Sequence, residues 1–225
     1  MDYLNYNKNN QDLSSTQQVE ITKIFPSNLV RSKCPSITLE DKEDMIKSID
    51  WMIENNMYHD LPLVPKYQTF TCLFRDEYFD QHNISSPHPI WKKLKETFYQ
   101  SCRNYLTVVK NFCESQNTLQ FTGTNAWAYK GWDSLDKTQS NPWHDHNPSF
   151  LSGVYYLHIP GDGTTGGTSF NDPRTPAAAA SIDHDMLPVE NTWVIFPGWL
   201  GHRSIQLPIE EPRYVVSANL FVKHV

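Results

Sequence analysis

At 225 residues the chain is long enough to bury a sizeable core, and its length favours one decorated domain over two. Its 39% hydrophobic and 13% aromatic content exclude a disordered chain. A net charge of −6 without any basic run argues against nucleic-acid or anionic-membrane partners, and no stretch approaches the roughly 18 apolar residues of a membrane span. Residues 1–18, rich in Asn, Gln and Ser, read as a loose arm without a signal-peptide core. Cys34, Cys72, Cys102 and Cys113 have no CxxC spacing and read as reduced thiols of a cytoplasmic protein.

Val19–Phe25 alternates apolar and polar residues, which predicts a first strand stopped by Pro26. Ser36 or Thr38 can cap a helix reaching about Met57, with Leu39, Ile46, Ile49, Ile53 and Met57 as its buried stripe. Tyr67–Phe74 has strand chemistry. A second helix is expected from about Pro89 to Cys113, because Trp91, Leu94, Phe98, Cys102, Tyr105, Val109 and Phe112 step by three or four. From Leu119 onward strands follow one another: 119–129, 150–158, 167–170, 191–196, 202–207 and 213–222, separated by Gly- and Pro-rich turns. The segment 175–185 reads as a mobile surface loop. Helices followed by uninterrupted strands predict an α+β protein with an antiparallel jelly roll and helices packed on one sheet. The expected organisation is an arm over 1–18 and one domain over 19–225, with helical support at 36–115 and a jelly-roll core at 119–223.

His144 and His146 are two residues apart, so in extended backbone both side chains point the same way. A third histidine, His202, follows the turn Phe196-Pro-Gly-Trp-Leu-Gly201. Three neutral imidazoles suit iron, copper or zinc, although an H-x-H in a chain with nine histidines can equally be ordinary rim polarity. Arg213 opens an apolar strand eleven residues after His202, in a hairpin expected to bring the two together. Its guanidinium fork suits a carboxylate.

The blocks Trp127–Gly131, His144-Asp-His146, Ser152–Leu157, Asp172-Pro-Arg174, Phe196–His202 and Arg213–Asn219 resemble the iron(II)/2-oxoglutarate oxygenases related to prolyl hydroxylases. The resemblance spans about residues 119–222, with a weaker match at Ile24-Phe-Pro26. It implies a double-stranded β-helix, another name for the jelly roll, around a metal. It also implies Fe(II), 2-oxoglutarate and O₂ as cofactor and cosubstrates. His144 and His202 match the family's metal histidines, and Arg213 the base that pairs with the distal carboxylate of 2-oxoglutarate. Tyr129 matches a pocket tyrosine, and Tyr156 a hydrogen-bond donor to that same carboxylate.

Most relatives carry a carboxylate two residues after the first histidine, where this chain has His146. His146 completes a three-histidine site, or a bulge turns Asp145 inward, or the site is impaired; the first is preferred. Three neutral imidazoles leave the metal its full +2 charge, and Asp145, Asp172, Asp183 or Asp185 can compensate from behind the ligands. Asn219 is a further candidate for that outer role or for substrate contact. Trp127, Trp132, Trp143 and Trp199 can frame a substrate cleft or simply pack. Arg174 can anchor substrate at the mouth or sit in a salt bridge. His158 shares a strand face with Tyr156 and is either a polar barrel residue or a strand-end one. The glycines at 161, 163, 166 and 167 have no phosphate-loop companions.

The reading is a hydroxylase acting on a peptide, amino acid or small molecule, without nucleic acid or membrane. A three-histidine cupin-type dioxygenase that ignores 2-oxoglutarate and a non-catalytic metal-binding jelly roll are the alternatives. Substrate and oligomeric state are not legible.

Overall fold

The computed structural model describes residues 19–24, 27–60, 66–75, 89–109, 119–131, 142–173, 183–205 and 211–224. The 1–18 arm, Phe112, Cys113, Trp132, Arg174 and the first part of the 175–185 loop lie outside the described residues.

The first helix, α1 (Leu39–Glu54), starts at Thr38 and not Ser36. The Thr38 hydroxyl accepts from the Asp41 N–H at 3.2 Å, and the Asp41 carboxylate accepts from the Thr38 N–H at 2.7 Å. This capping box satisfies two of the donors that a helix start leaves orphaned. The buried face runs through Met45, Ser48, Ile49 and Met52. Leu39, expected in the stripe, is 70% exposed, because its position in the first turn lies off the phase set by Met45, Ile49 and Met52. Asn56, at φ 58°, turns the chain out of the helix, so Met57 is buried from beyond its end.

The second helix, α2 (Ile90–Val109), buries Trp91, Leu94, Phe98, Cys102 and Tyr105 as the spacing predicts. The Trp91 indole donates to the Ser48 hydroxyl at 2.9 Å, which explains a buried serine on the apolar face of α1. Cys34, Cys72 and Cys102 are buried free thiols. Burial raises the Cys34 thiol to about 12 and the Cys72 thiol to about 11.

The strands are β1 (Val19–Ile24), β2 (Ser27–Lys33), β3 (Tyr58–Asp60), β4 (Lys66–Thr69), β5 (Leu119–Gly131), β6 (Leu151–His158), β7 (Thr168–Asn171), β8 (Asp183–Met186), β9 (Thr192–Pro197), β10 (His202–Ser204) and β11 (Arg213–His224). Eight form one antiparallel sheet in the order β1-β2-β9-β6-β11-β5-β4-β3, and three form a second in the order β10-β7-β8. This two-sheet jelly roll with helices on one face is the predicted architecture.

Four local expectations are corrected. The chain after Pro26 continues as β2, whose Ser-Asn-Leu-Val-Arg-Ser-Lys run carries only two apolar residues. The strand read over Tyr67–Phe74 ends at Thr69, and residues 71–74 form a turn. Asp183–Met186 is a strand paired with β7 and not loop; only Met186 in it is buried, so no alternation marks it. Arg213 and His202 do not share a hairpin, because β10 belongs to the small sheet and β11 to the large one.

Strand parity divides the interior into two cores. Tyr155, Leu157, Trp193, Ile195, Val216 and Ala218 face the helices and pack around Phe98 and Leu94. Val154, Tyr156, Val194, Phe196, Phe170, Met186 and Leu200 fill the space between the sheets. No helix among the described residues is long and apolar enough to cross a membrane.

Candidate metal centre

His144, His146 and His202 converge at the mouth of the space between the sheets, although only His202 is in a strand. The 142–150 segment is pinned at His144 and His146 and, at its end, by Phe150, whose N–H donates to the Leu220 carbonyl at 2.9 Å. His144 and His202 exchange both backbone hydrogen bonds, at 3.1 and 2.9 Å, and the His146 N–H donates to the Gly198 carbonyl at 2.7 Å. These pins fix residues 144–146 ahead of a turn at 147–148, and both imidazoles approach the His202 ring, at 4.4 and 4.8 Å between centroids. Gly198 is needed here: a Cβ on it would lie 2.2 Å from the Ser149 carbonyl oxygen and from the Ser149 hydroxyl.

The three side chains offer one ligand nitrogen each, all within 4.8 Å of one another. Some point therefore lies within about 2.8 Å of all three nitrogens, against about 2.0–2.1 Å in a bound imidazole site. Small side-chain rotations close that gap. The ring nitrogens on the far side are held: His144 Nδ1 is 3.1 Å from the Pro142 carbonyl, and His202 Nδ1 is 2.9 Å from the Leu200 carbonyl. His146 Nδ1 is 2.9 Å from Asn219 Oδ1. All three oxygens can only accept, which favours the Nδ1–H tautomer of each ring and leaves each Nε2 free to offer a lone pair.

Burial and the neighbouring His144 hold His146 down at about 4, against the opposing pull of Asn219 and of the Asp145 charge. Burial, His144 and His146 together hold His202 at about 3. Both rings are therefore neutral at neutral pH, the state in which an imidazole can bind a metal. Asp145, the alternative ligand, is exposed and turned back on its own loop, where it accepts from the Asn147 N–H at 3.0 Å. Among the described residues the ligand group contains these three histidines, a set that suits Fe(II) and leaves coordination positions open.

Deeper between the sheets lie the residues expected to hold a carboxylate. Tyr156 is 1% exposed, with its hydroxyl 2.8 Å from Thr168 Oγ1. Burial raises it to about 12, with Thr168 and the charges of Arg31 and Arg213 pulling the other way. Arg213 is 3% exposed and donates from Nη1 to the Ile205 carbonyl at 2.7 Å and the Gly166 carbonyl at 3.2 Å. Tyr129 sits opposite Val215 in the β5–β11 register, and burial raises its hydroxyl. The strands thus bring Tyr156, Arg213 and Tyr129 onto inward faces that the histidine cluster caps.

The remaining candidates separate. Trp127 is buried and meets the His146 ring edge-on at 5.4 Å. Trp143 stacks under the Arg203 guanidinium at 4.5 Å, and Trp199 is 46% exposed on the turn before His202. Asp172 is buried, Asp183 reaches Arg203 at 3.4 Å, and Asp185 is exposed on β8. His158 ends β6 and lies between Glu190 and Glu211, the strand-end placement of the two considered. Sequence reasoning missed Gly198, Ser149 and Arg31. Gly198 had a visible signal in the Pro-Gly turn. Arg31 had none, because β2 itself was not recognised.

Residues 127–219 match the family model described as "Putative 2OG-Fe(II) oxygenase". No curated protein matches the sequence. Among solved structures, the fold is similar to a prolyl 4-hydroxylase from Phytophthora capsici, at 16% identity and a TM-score of 0.54 over 86% of this chain and 58% of that one. A Pseudomonas putida prolyl-4-hydroxylase aligns at 10% identity and a TM-score of 0.50, covering 92% of each chain. The dioxygenase for auxin oxidation 1 of Arabidopsis thaliana, in its 2-oxoglutarate complex, aligns at 14% identity and a TM-score of 0.56, over 84% of this chain and 80% of that one. The chain spans 58% of the Phytophthora protein it matches, and at these identities the likeness is one of fold.

Proposed function

We propose that this chain, which carries a 2OG-Fe(II) oxygenase domain over residues 127–219, is a hydroxylase in which His144, His146 and His202 all bind the Fe(II). The observation that carries the reading is the convergence of three imidazole nitrogens within 4.8 Å of one another at the mouth of a barrel whose inner faces bear Arg213 and Tyr156. Fe(II) with 2-oxoglutarate and O₂ supplies the oxidising chemistry, with succinate and CO₂ as co-products. The chain's own part is to bind, orient and exclude water. Arg213 and the Tyr156 hydroxyl hold the far carboxylate of the cosubstrate, and Tyr129 lines its pocket. Phe196, 4.7 Å from the His202 ring, and Trp127, 5.4 Å from the His146 ring, cover the inner side of the cluster, while His144 faces the open side. The substrate is a peptide or small molecule entering past Trp143 and Trp199. We read residues 19–225 as one unit and, with three thiols buried and reduced, assign it to the cytoplasm.

The test is anaerobic titration of 2-oxoglutarate into the Fe(II) protein. A visible charge-transfer band, followed by succinate formation on adding O₂, is expected. Absence of both sinks the reading. The three-histidine set also favours a second one, a cupin-type dioxygenase that binds its organic substrate directly. Arg213→Ala separates the two: weakened 2-oxoglutarate binding supports the first, and lost binding of a carboxylate substrate with no 2-oxoglutarate requirement supports the second.

A further inference from the structure

The His144 and His202 rings lean on main-chain carbonyls two residues away, whereas the hydrogen bonds of the His146 ring go to side chains of other elements. Its Nδ1 is 2.9 Å from Asn219 Oδ1 and 3.1 Å from Ser152 Oγ. Ser152 in turn donates to Asn219 Oδ1 at 2.8 Å and lies 3.0 Å from the Ser149 hydroxyl. Asn219, Ser152 and Ser149 are 7%, 0% and 5% exposed. Buried polar groups are costly unless they satisfy one another, and these three do so around one imidazole.

Asn219 is also poorly placed to move. It lies in β11 between β5 and β6, opposite Asn125 on one side and Ser152 on the other. Its backbone carbonyl additionally accepts from Thr124 Oγ1 at 2.7 Å. Its amide oxygen has two lone pairs, one for the imidazole N–H and one for the Ser152 hydroxyl.

We infer that Asn219, braced by Ser152, is a positioning residue that fixes His146 as the Nδ1–H tautomer and aims Nε2 at the metal. The inference rests on the metal reading above and explains how an imidazole works at position 146. A neutral imidazole needs an acceptor behind it to present a lone pair in front, and Asn219 provides that acceptor without adding charge. An Asp at 219 would provide a stronger one.

The test uses the full chain in two forms. In metal-free protein, nitrogen-detected NMR should find His146 as the Nδ1–H tautomer, and as a mixture in Asn219→Ala. Co(II) titration should give roughly a 10–100-fold weaker affinity for Asn219→Ala, the usual cost of losing an outer partner. Asn219→Asp should bind within a few-fold of the parent or tighter. Thermal unfolding of the metal-free variants checks that the fold survives. Parental Co(II) affinity in Asn219→Ala, or an Nε2–H tautomer in the parent, overturns the inference. Should the Ala variant not fold, the parental tautomer and the Asp variant decide, with a loss above 10-fold in the latter overturning it. A parent that binds no Co(II) at all defeats the functional reading, while the tautomer still tests Asn219.

Discussion

His146 changes the electrostatics of the centre more than its geometry. A carboxylate there would cancel one of the two charges of a divalent metal, and an imidazole cancels none. Asp145 is next in sequence yet exposed and engaged with the Asn147 N–H, so it acts on the site through its field alone. The substitution His146→Asp therefore separates two ligand sets. Retained metal with unchanged or increased succinate formation is expected, because the carboxylate restores the missing negative charge. Complete loss of metal by elemental analysis would mean that the three-histidine set is indispensable. This residue was legible from spacing alone. Asn219 was legible as a candidate for the outer role, but its pairing with Ser152 was not, because the two lie in distant blocks that only the β6–β11 register brings together.

At the scale of elements, the site is a loop held against two sheets. Gly198 accepts the His146 N–H through its carbonyl and has no room for a Cβ beside Ser149. Gly198→Ala should push the 142–150 segment outward and lower Co(II) affinity while α1 and α2 keep their far-UV signature. Unchanged affinity would show that the loop has slack. The helices were read nearly to their ends because each has a periodic apolar face. Thr38 and Asp41 marked the start of α1 through the capping box. The strands read poorly lacked an apolar alternation: β2 is well buried but carries only two apolar residues. The chain left no alternation in β8, and β3 has only three residues. The expected Arg213–His202 hairpin failed for a topological reason: local sequence does not say to which of two sheets a strand is assigned.

Across the whole molecule, the two cores tie stability to the site. Phe98 is fully buried against Trp193 at 5.0 Å and Phe74 at 6.0 Å on the helix side. Phe98→Ala should cost about 3–5 kcal/mol by denaturant unfolding, the usual range for deleting a core phenylalanine. The histidines add a pH dependence to the metal-free protein. His146 and His202 are held at about 4 and about 3 when folded, below the roughly 6.5 of an unfolded chain. The unfolded state thus binds more protons between those values, and stability is lost as pH falls from about 6.5 toward 4 and 3. Denaturant midpoints at pH 7, 5.5 and 4.5 should decline, and less steeply in His202→Gln than in the parent. Equal slopes would mean that the carboxylates alone account for the loss.

The reciprocal backbone pair between His144 and His202 makes two of the proposed ligands neighbours on one rung, although they are far apart in sequence. Their Cα positions are set by the ladder whether or not an ion is bound, so little conformational entropy remains to be surrendered on loading. Metal exchange should then behave as a side-chain event. A chelator should empty the centre while near-ultraviolet circular dichroism stays native, and re-addition of Co(II) should restore it without a refolding lag. Loss of the native signal on chelation would place the rung itself under the metal's control.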